Sequence, residues 1–259
     1  MLQRLPRGVR LTQAGVVLYE SAQKILQEFA RVKQQLAQGQ SDTSNPVVLG
    51  ASPTLARVLL PGLFESCQKS VASVQLRVRE AFRPVLLDWL DRGLIDMAIV
   101  TNPEARQSLS SHPLLGEPFA LVSHHSLKIG PIVSLNQLAR IPVLMTSIHR
   151  SIVERQLLPL GKKLSIHAEI DSVDSIRELV HRGQWATIMP VSVFKQTQSS
   201  SSVVISEVSG VQLNRLLVLA TRPGPVENAS LPALKQLVEA EFMRLALEGM
   251  FSFSAPQNN

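Results

Sequence analysis

A single cysteine, Cys67, stands in 259 residues, so neither an internal disulfide nor a multi-cysteine metal site can form, and nothing asks for an oxidising compartment. Aromatic side chains are scarce at 4%, and charged ones make up 18% against 45% hydrophobic, a balance that excludes disorder for most of the chain and suits one large or two ordinary domains. No stretch approaches the roughly 18 to 20 uninterrupted apolar residues of a membrane helix; the run 94–100, for example, is broken by Asp96. The opening segment carries arginines but no apolar core of signal-peptide length, which leaves the cytoplasm as the expected address.

Catalytic signatures are equally sparse. There is no G-x-S-x-G elbow, no H-E-x-x-H and no G-x-G-x-x-G, and Gly161-Lys162-Lys163 lacks the upstream glycine and following hydroxyl of a phosphate loop. Two S-x-x-K tetrads, at Ser66 and Ser192, lack the companion motifs of the serine β-lactam enzymes, so chance accounts for them. His124 and His125 are adjacent, so their rings cannot share one helical face around a metal, and they read as loop histidines. Cys67 reads as a buried, inert thiol. Neither a catalytic residue nor a cofactor is expected, and the chain does not read as an enzyme.

What is present is unevenly spread. The net charge is +6, and +4 of it lies before residue 40, where Arg4, Arg7, Arg10, Lys24, Arg31 and Lys33 face only Glu20 and Glu28. A basic end on a nearly neutral body points to a nucleic acid or an acidic surface, or simply to a solvated basic face. Thr12 reads as the N-cap of a long helix running to about Gln38. Within it Leu18, Ala22, Ile25, Phe29, Val32 and Leu36 recur at alternating spacings of four and three, a heptad seam. One narrow apolar stripe must be covered by a partner helix or by the body of the protein, and a coiled dimer is the preferred reading.

After a polar, turn-rich stretch at 39–46 the pattern becomes β and α in alternation, which implies a parallel sheet with crossover helices. About 210 residues of such units are too many for one small core and suit two lobes. Ligands of parallel sheets bind at the carboxyl ends of strands, near helix N-termini. Here those positions hold Ser52, Thr54, Thr101, Asn102, Thr146 and Ser147, with Ser172 opening a later helix. Uncharged donors beside helix dipoles suit a small anion such as a carboxylate, each dipole contributing roughly 0.3–1 kcal/mol; simple N-capping explains each residue taken singly.

In this order the segments resemble a LysR-type transcriptional regulator. The resemblance is carried by Arg4 to Gly15 (RLPRGVRLTQAG), similar to the wing and the L-T-x-A-G motif of the linker helix; by Leu60-Pro61; by Gly93 to Ile99 (GLIDMAI), similar to G-x-L-D-x-A-I; and by Leu179-Val180, Gly183 and Met189-Pro190. It covers nearly the whole chain. It implies an α/β fold in which a wing remnant and a long linker helix precede a two-lobed effector domain like a periplasmic binding protein. The expected domains are the wing at 1–11, the dimerisation helix at 12–38, a linker at 39–46, lobe I at 47–123 and 217–250, lobe II at 124–216 and a flexible tail at 251–259. It further implies a small-molecule effector held between the lobes, carried by motif to Ser52, Thr54, Thr101, Thr146 and Ser147, and a homodimer or homotetramer acting on promoter DNA.

One departure bears on that expectation. Met1 falls just before the wing, so the helix-turn-helix with its recognition helix is not in the sequence. Arg4, Arg7 and Arg10 then supply only phosphate contacts, and weak, sequence-independent, salt-sensitive DNA binding is expected of this chain. The alternative is a stand-alone effector-binding and dimerisation protein that modulates a full-length regulator. A small-solute receptor is disfavoured by the arginine-rich wing and the heptad.

Overall fold

The computed structural model describes residues 1–5, 8–19, 21, 22, 25, 29, 46–69, 75–102, 109–195, 202–223, 228 and 230–253. Strands β1 (Leu2–Leu5) and β2 (Gly8–Leu11) form an antiparallel hairpin in which Leu2 faces Leu11. Thr12 then caps helix α1, which starts at residue 13: its Oγ1 accepts from the Gly15 amide at 3.1 Å. Leu18, Ile25 and Phe29 are helical and exposed and Ala22 is half-buried, whereas Val32 and Leu36 lie outside the described residues, as does the expected linker up to residue 45.

The body is a two-part sheet. Its elements run β3 (Val47–Ala51), α2 (Pro53–Lys69), β4 (Leu76–Glu80), α3 (Arg83–Asp91), β5 (Met97–Thr101) and β6 (Ser110–His124). They continue β7 (Ile132–Ser134), α4 (Leu135–Leu138), β8 (Pro142–Met145), α5 (Ser147–Leu157), β9 (Ser165–Glu169), α6 (Val173–His181) and β10 (Ala186–Pro190). The chain closes with α7 (Ser192–Lys195), β11 (Val203–Ser209), β12 (Asn214–Thr221) and α8 (Ser230–Leu247). Neighbouring strands follow the order β4-β3-β5-β12-β6-β10-β8-β9. The expected all-parallel sheet is corrected: β3 pairs in parallel with β4 and β5, and β8 with β9 and β10, but β12 and β6 run against their neighbours. Parallel pairing needs a crossover connection at each step, and these two strands are the ones that carry the chain from one lobe to the other.

Each lobe buries both faces of its sheet, as strand alternation requires. In the first, Leu49, Met97, Ile99, Leu217 and Leu219 face α2 and α8, while Ala98, Val100, Val218 and Ala220 face α3. In the second, Phe119, Leu121, Val143 and Ile188 face α5, and Ala120, Val122, Leu144 and Met189 face α6 and α7. The lobe boundary therefore differs from that expected: 119–123 belong to the second core, and β12 joins the first sheet from Asn214. The reason is the length of β6. Pro113, Gly116 and Pro118 read as turn punctuation, yet they lie inside a 15-residue strand that spends its first part on β12 and its second on β10 and β11.

The expected flexible tail at 251–259 is corrected at its start, residues 254–259 lying outside the described residues. Phe251 is buried in the first lobe and stacks on Phe242 at 5.6 Å, Phe253 packs against the second lobe, and Lys195 Nζ donates to the Gly249 carbonyl at 2.5 Å. Apolar side chains at both positions hold the segment down. Among the described residues no helix is long and apolar enough to cross a membrane.

Candidate functional site: the cleft between the lobes

Helix α2 begins with Pro53, whose fixed φ suits the first helical position and whose missing N–H costs nothing there. One turn on, the 3.6-residue period turns Leu55, Leu59 and Leu63 into the core and leaves Thr54 and Arg57 on the opposite, cleft-facing side. Across from them α6 opens at Ser172, whose Oγ accepts from the Ser175 amide at 3.2 Å. Between the two helix starts lies a cavity of about 290 Å³. Its polar lining is Thr54, Arg57, Asp171, Ser172 and Asp174; its apolar lining is Pro53, Val58, Phe82, Val173 and Val193.

The lobes meet across this cavity through a paired bridge. Arg57 Nη1 and Nη2 lie 2.7 Å from Asp174 Oδ1 and Oδ2 respectively, a bidentate fork. The arginine's hydrogen bond holds the Asp174 carboxyl below the usual carboxylate range, with Arg177, 3.5 Å away, adding to the effect. Asp171 is also held low, by different means: its Oδ1 accepts from both Oγ and N–H of Ser147, at 2.7 and 2.8 Å.

The sequence-predicted site residues are only partly brought together. Thr54 lines the cavity, and Ser52 is its neighbour, with the two hydroxyl oxygens 3.2 Å apart. Ser147 reaches the cavity wall through Asp171, so the helix start expected to bind an anion already carries a carboxylate of the chain itself. Thr146 is buried and caps α5 through the His149 amide at 3.1 Å. Asn102, at φ 43°, uses its side chain as a brace, its Oδ1 accepting from Leu216 N–H at 2.6 Å, and Arg83 Nη1 donates to the carbonyls of Asn102 and Thr101 at 2.6 and 3.4 Å. Neither Thr101 nor Asn102 is among the residues that line the cavity. The expectation missed Arg57, Phe82, Asp171, Asp174 and Val193. Only Arg57 left a trace in the sequence, three residues after Thr54 and hence on the same helix face.

Behind the cleft, where the chain crosses between lobes, Glu117 of β6 and Arg215 of β12 are paired and wholly buried. Glu117 Oε2 accepts from Arg215 Nε at 2.8 Å, and Oε1 accepts from the Ser192 amide at 3.0 Å. His149 sits edge-on to Phe119 at 5.7 Å, and burial, with the Arg215 charge, pushes its pKa down to about 3. Among the described residues no group of three His, Cys, Asp or Glu is placed to hold a metal.

Residues 40–243, well over half of the chain, match the family model of the LysR substrate binding domain. The chain belongs to the LysR family. Similar LysR-type regulators include the hydrogen peroxide-inducible genes activator of Dickeya chrysanthemi, 25% identical over 98% of this chain and 85% of that protein. The DNA-binding transcriptional dual regulator OxyR of Escherichia coli K12 is 25% identical over 97% of this chain and 82% of its own length. The fold is that of HinK, a LysR family transcriptional regulator from Pseudomonas aeruginosa, at a TM-score of 0.69 and 19% identity over 91% of this chain and 82% of that one. A mutant of Corynebacterium glutamicum OxyR gives 0.69 at 22% identity over 100% and 82%. The chain is thus a LysR-type regulator with its two-lobed effector domain, and its relatives are named as regulators, not enzymes.

Proposed function

We propose that this LysR-type regulator works in the cytoplasm and senses a small molecule bound in the cleft between its lobes, passing the bound state to DNA through a dimer. The observation that carries the reading is the 290 Å³ cavity walled by both lobes and bridged by Arg57 and Asp174. A ligand there contacts both lobes at once, so it binds one interlobe arrangement better than another, which is what coupling requires. The exposed Leu18, Ile25 and Phe29 on α1 support dimerisation, and exposed Arg10 on the hairpin suits a phosphate contact. Sensing by an internal disulfide is not open to this sequence, whose one thiol, Cys67, is buried with its pKa raised by burial.

The test is a thermal-shift screen of small metabolites on the whole chain, repeated on Val173→Phe, which fills the cavity from the α6 side. A compound that stabilises the native chain and loses its effect on the variant supports the cleft. Stabilisation that is identical in both, or no stabilising compound, counts against it. For the dimer, Ile25→Asp with Phe29→Asp is expected to halve the sedimenting mass; an unchanged mass removes α1 as the seam.

A further inference from the structure

The lining of the cleft carries charges of both signs, and their partners differ. Asp174 is satisfied twice over, by Arg57 from the first lobe and Arg177 from its own. Asp171 is not: among the described residues it forms no ion pair, and the bonds it accepts come from the uncharged N–H and O–H of Ser147. A cavity that holds Arg57, two carboxylates and five apolar side chains is poorly matched to a bare anion, because Arg57 is already paired with Asp174 and a second carboxylate, Asp171, lines the same wall. A bare amine meets the converse problem at Arg57. Polyols and sugars leave Phe82, Val58 and Val193 without apolar contact, and at about 290 Å³ the space lies at the lower limit of ordinary ligand pockets, too small for a nucleotide.

We infer that the effector is a small zwitterion with an apolar tail, of the α-amino acid class. This rests on the reading of the cleft as the effector site. The carboxylate lies on Arg57 and Thr54 at the start of α2, taking a share of the arginine from Asp174, which keeps Arg177. The ammonium lies on Asp171 and supplies the cation that this carboxylate lacks. The tail fills the wall made by Val58, Phe82 and Val193. Each charged end meets an opposite charge from a different lobe, Arg57 from the first and Asp171 from the second, so the ligand ties the lobes together only when both ends are present. The zwitterion replaces the expectation of a simple anion on this ground: the carboxylates between β9 and α6 come to face the start of α2 only in the folded chain.

The experiment is calorimetric titration of the whole chain with L-leucine, L-valine and L-phenylalanine, and with the two half-molecules of leucine, 3-methylbutylamine and 4-methylpentanoate. At least one amino acid is expected to bind, with each half-molecule weaker by about tenfold or more, since each lacks one charge-assisted contact. Asp171→Asn keeps an acceptor for Ser147 while removing the charge; it is expected to weaken the amino acid by about tenfold and to leave 4-methylpentanoate equal or tighter. If 4-methylpentanoate binds as well as leucine, or if Asp171→Asn leaves leucine unaffected, the zwitterion is refuted. Failure of all three amino acids, while another compound binds and loses binding in Val173→Phe, refutes the zwitterion and leaves the cleft standing. If no compound binds in a way that Val173→Phe abolishes, both readings fall.

Discussion

Arg215→Met removes from a carboxylate without access to water the only cation that pairs with it among the described residues. Glu117 and Arg215 are 0% and 2% exposed, so the pair was desolvated on folding and neither member can fall back on solvent. With the methionine in place Glu117 keeps, among the described residues, the bond from the Ser192 amide. Stranding a buried charge in this way costs about 3–5 kcal/mol, far more than the net worth of the pair. Glu117→Gln combined with Arg215→Met strands no charge: the amide oxygen still accepts from Ser192, the methionine fills much of the arginine stem, and what is left is a neutral amide NH2 without an acceptor. The double variant is expected to recover most of the loss, ending about 1–2 kcal/mol below the parent. Urea unfolding followed by tryptophan fluorescence suits the question, since Trp89 packs on the first lobe and Trp185 on the second. A single variant within about 1 kcal/mol of the parent, or a double variant no better than the single, would refute the claim that this joint is a desolvated ion pair holding β6, β12 and α7 together.

Gly62→Ala is a test of sign: intrinsic helix propensity predicts a gain of about 0.5–1 kcal/mol, but a Cβ there would collide with the carboxylate of Glu241, which is buried and held by Arg244, so overpacking predicts a loss of about 1–3 kcal/mol in thermal or urea unfolding. His149, neutral in the fold down to a pKa of about 3, protonates in the unfolded chain near the ordinary histidine value of 6.5. The unfolded state thus binds the extra proton first, and stability falls as pH drops below 6.5, by about 1.4 kcal/mol per unit at most. In His149→Gln that slope between pH 6.5 and 4 should flatten, and a slope unchanged from the parent would show that other groups set it. Asp174→Asn breaks the Arg57 fork, but with side chains 44% and 65% exposed the pair is screened by solvent, so stability should change by less than about 1 kcal/mol. Small-angle scattering should meanwhile register a more open cleft; a large stability loss with no change in shape would make the pair structural and not a latch.

Local signals in the sequence reached the elements whose physics is local. Thr12 and Ser172 were readable as helix starts because a cap needs only a hydroxyl and the amide three residues on, and both make that bond. The long strand β6 was not readable, because Pro113 and Pro118 look like turns until β12 and β10 are there to accept them with a register shift at Leu217. Of the candidate site, Thr54 was reached through the rule that ligands gather at strand ends, whereas Thr146 and Asn102, chosen by the same rule, are spent on capping and bracing. A hydroxyl at a strand end does not say whether its proton serves the ligand or the fold.

The sequence by itself determined the lobed α/β body, the amphipathic first helix and the single thiol, since periodicity, composition and count are properties of one chain read in order. The tertiary structure alone decided which charges meet. Arg57 and Asp174 are separated by 117 residues, and Glu117 and Arg215 by 98. An ion pair depends on distance in space and on how much water is left around it, and neither is fixed until the two lobes have folded against each other.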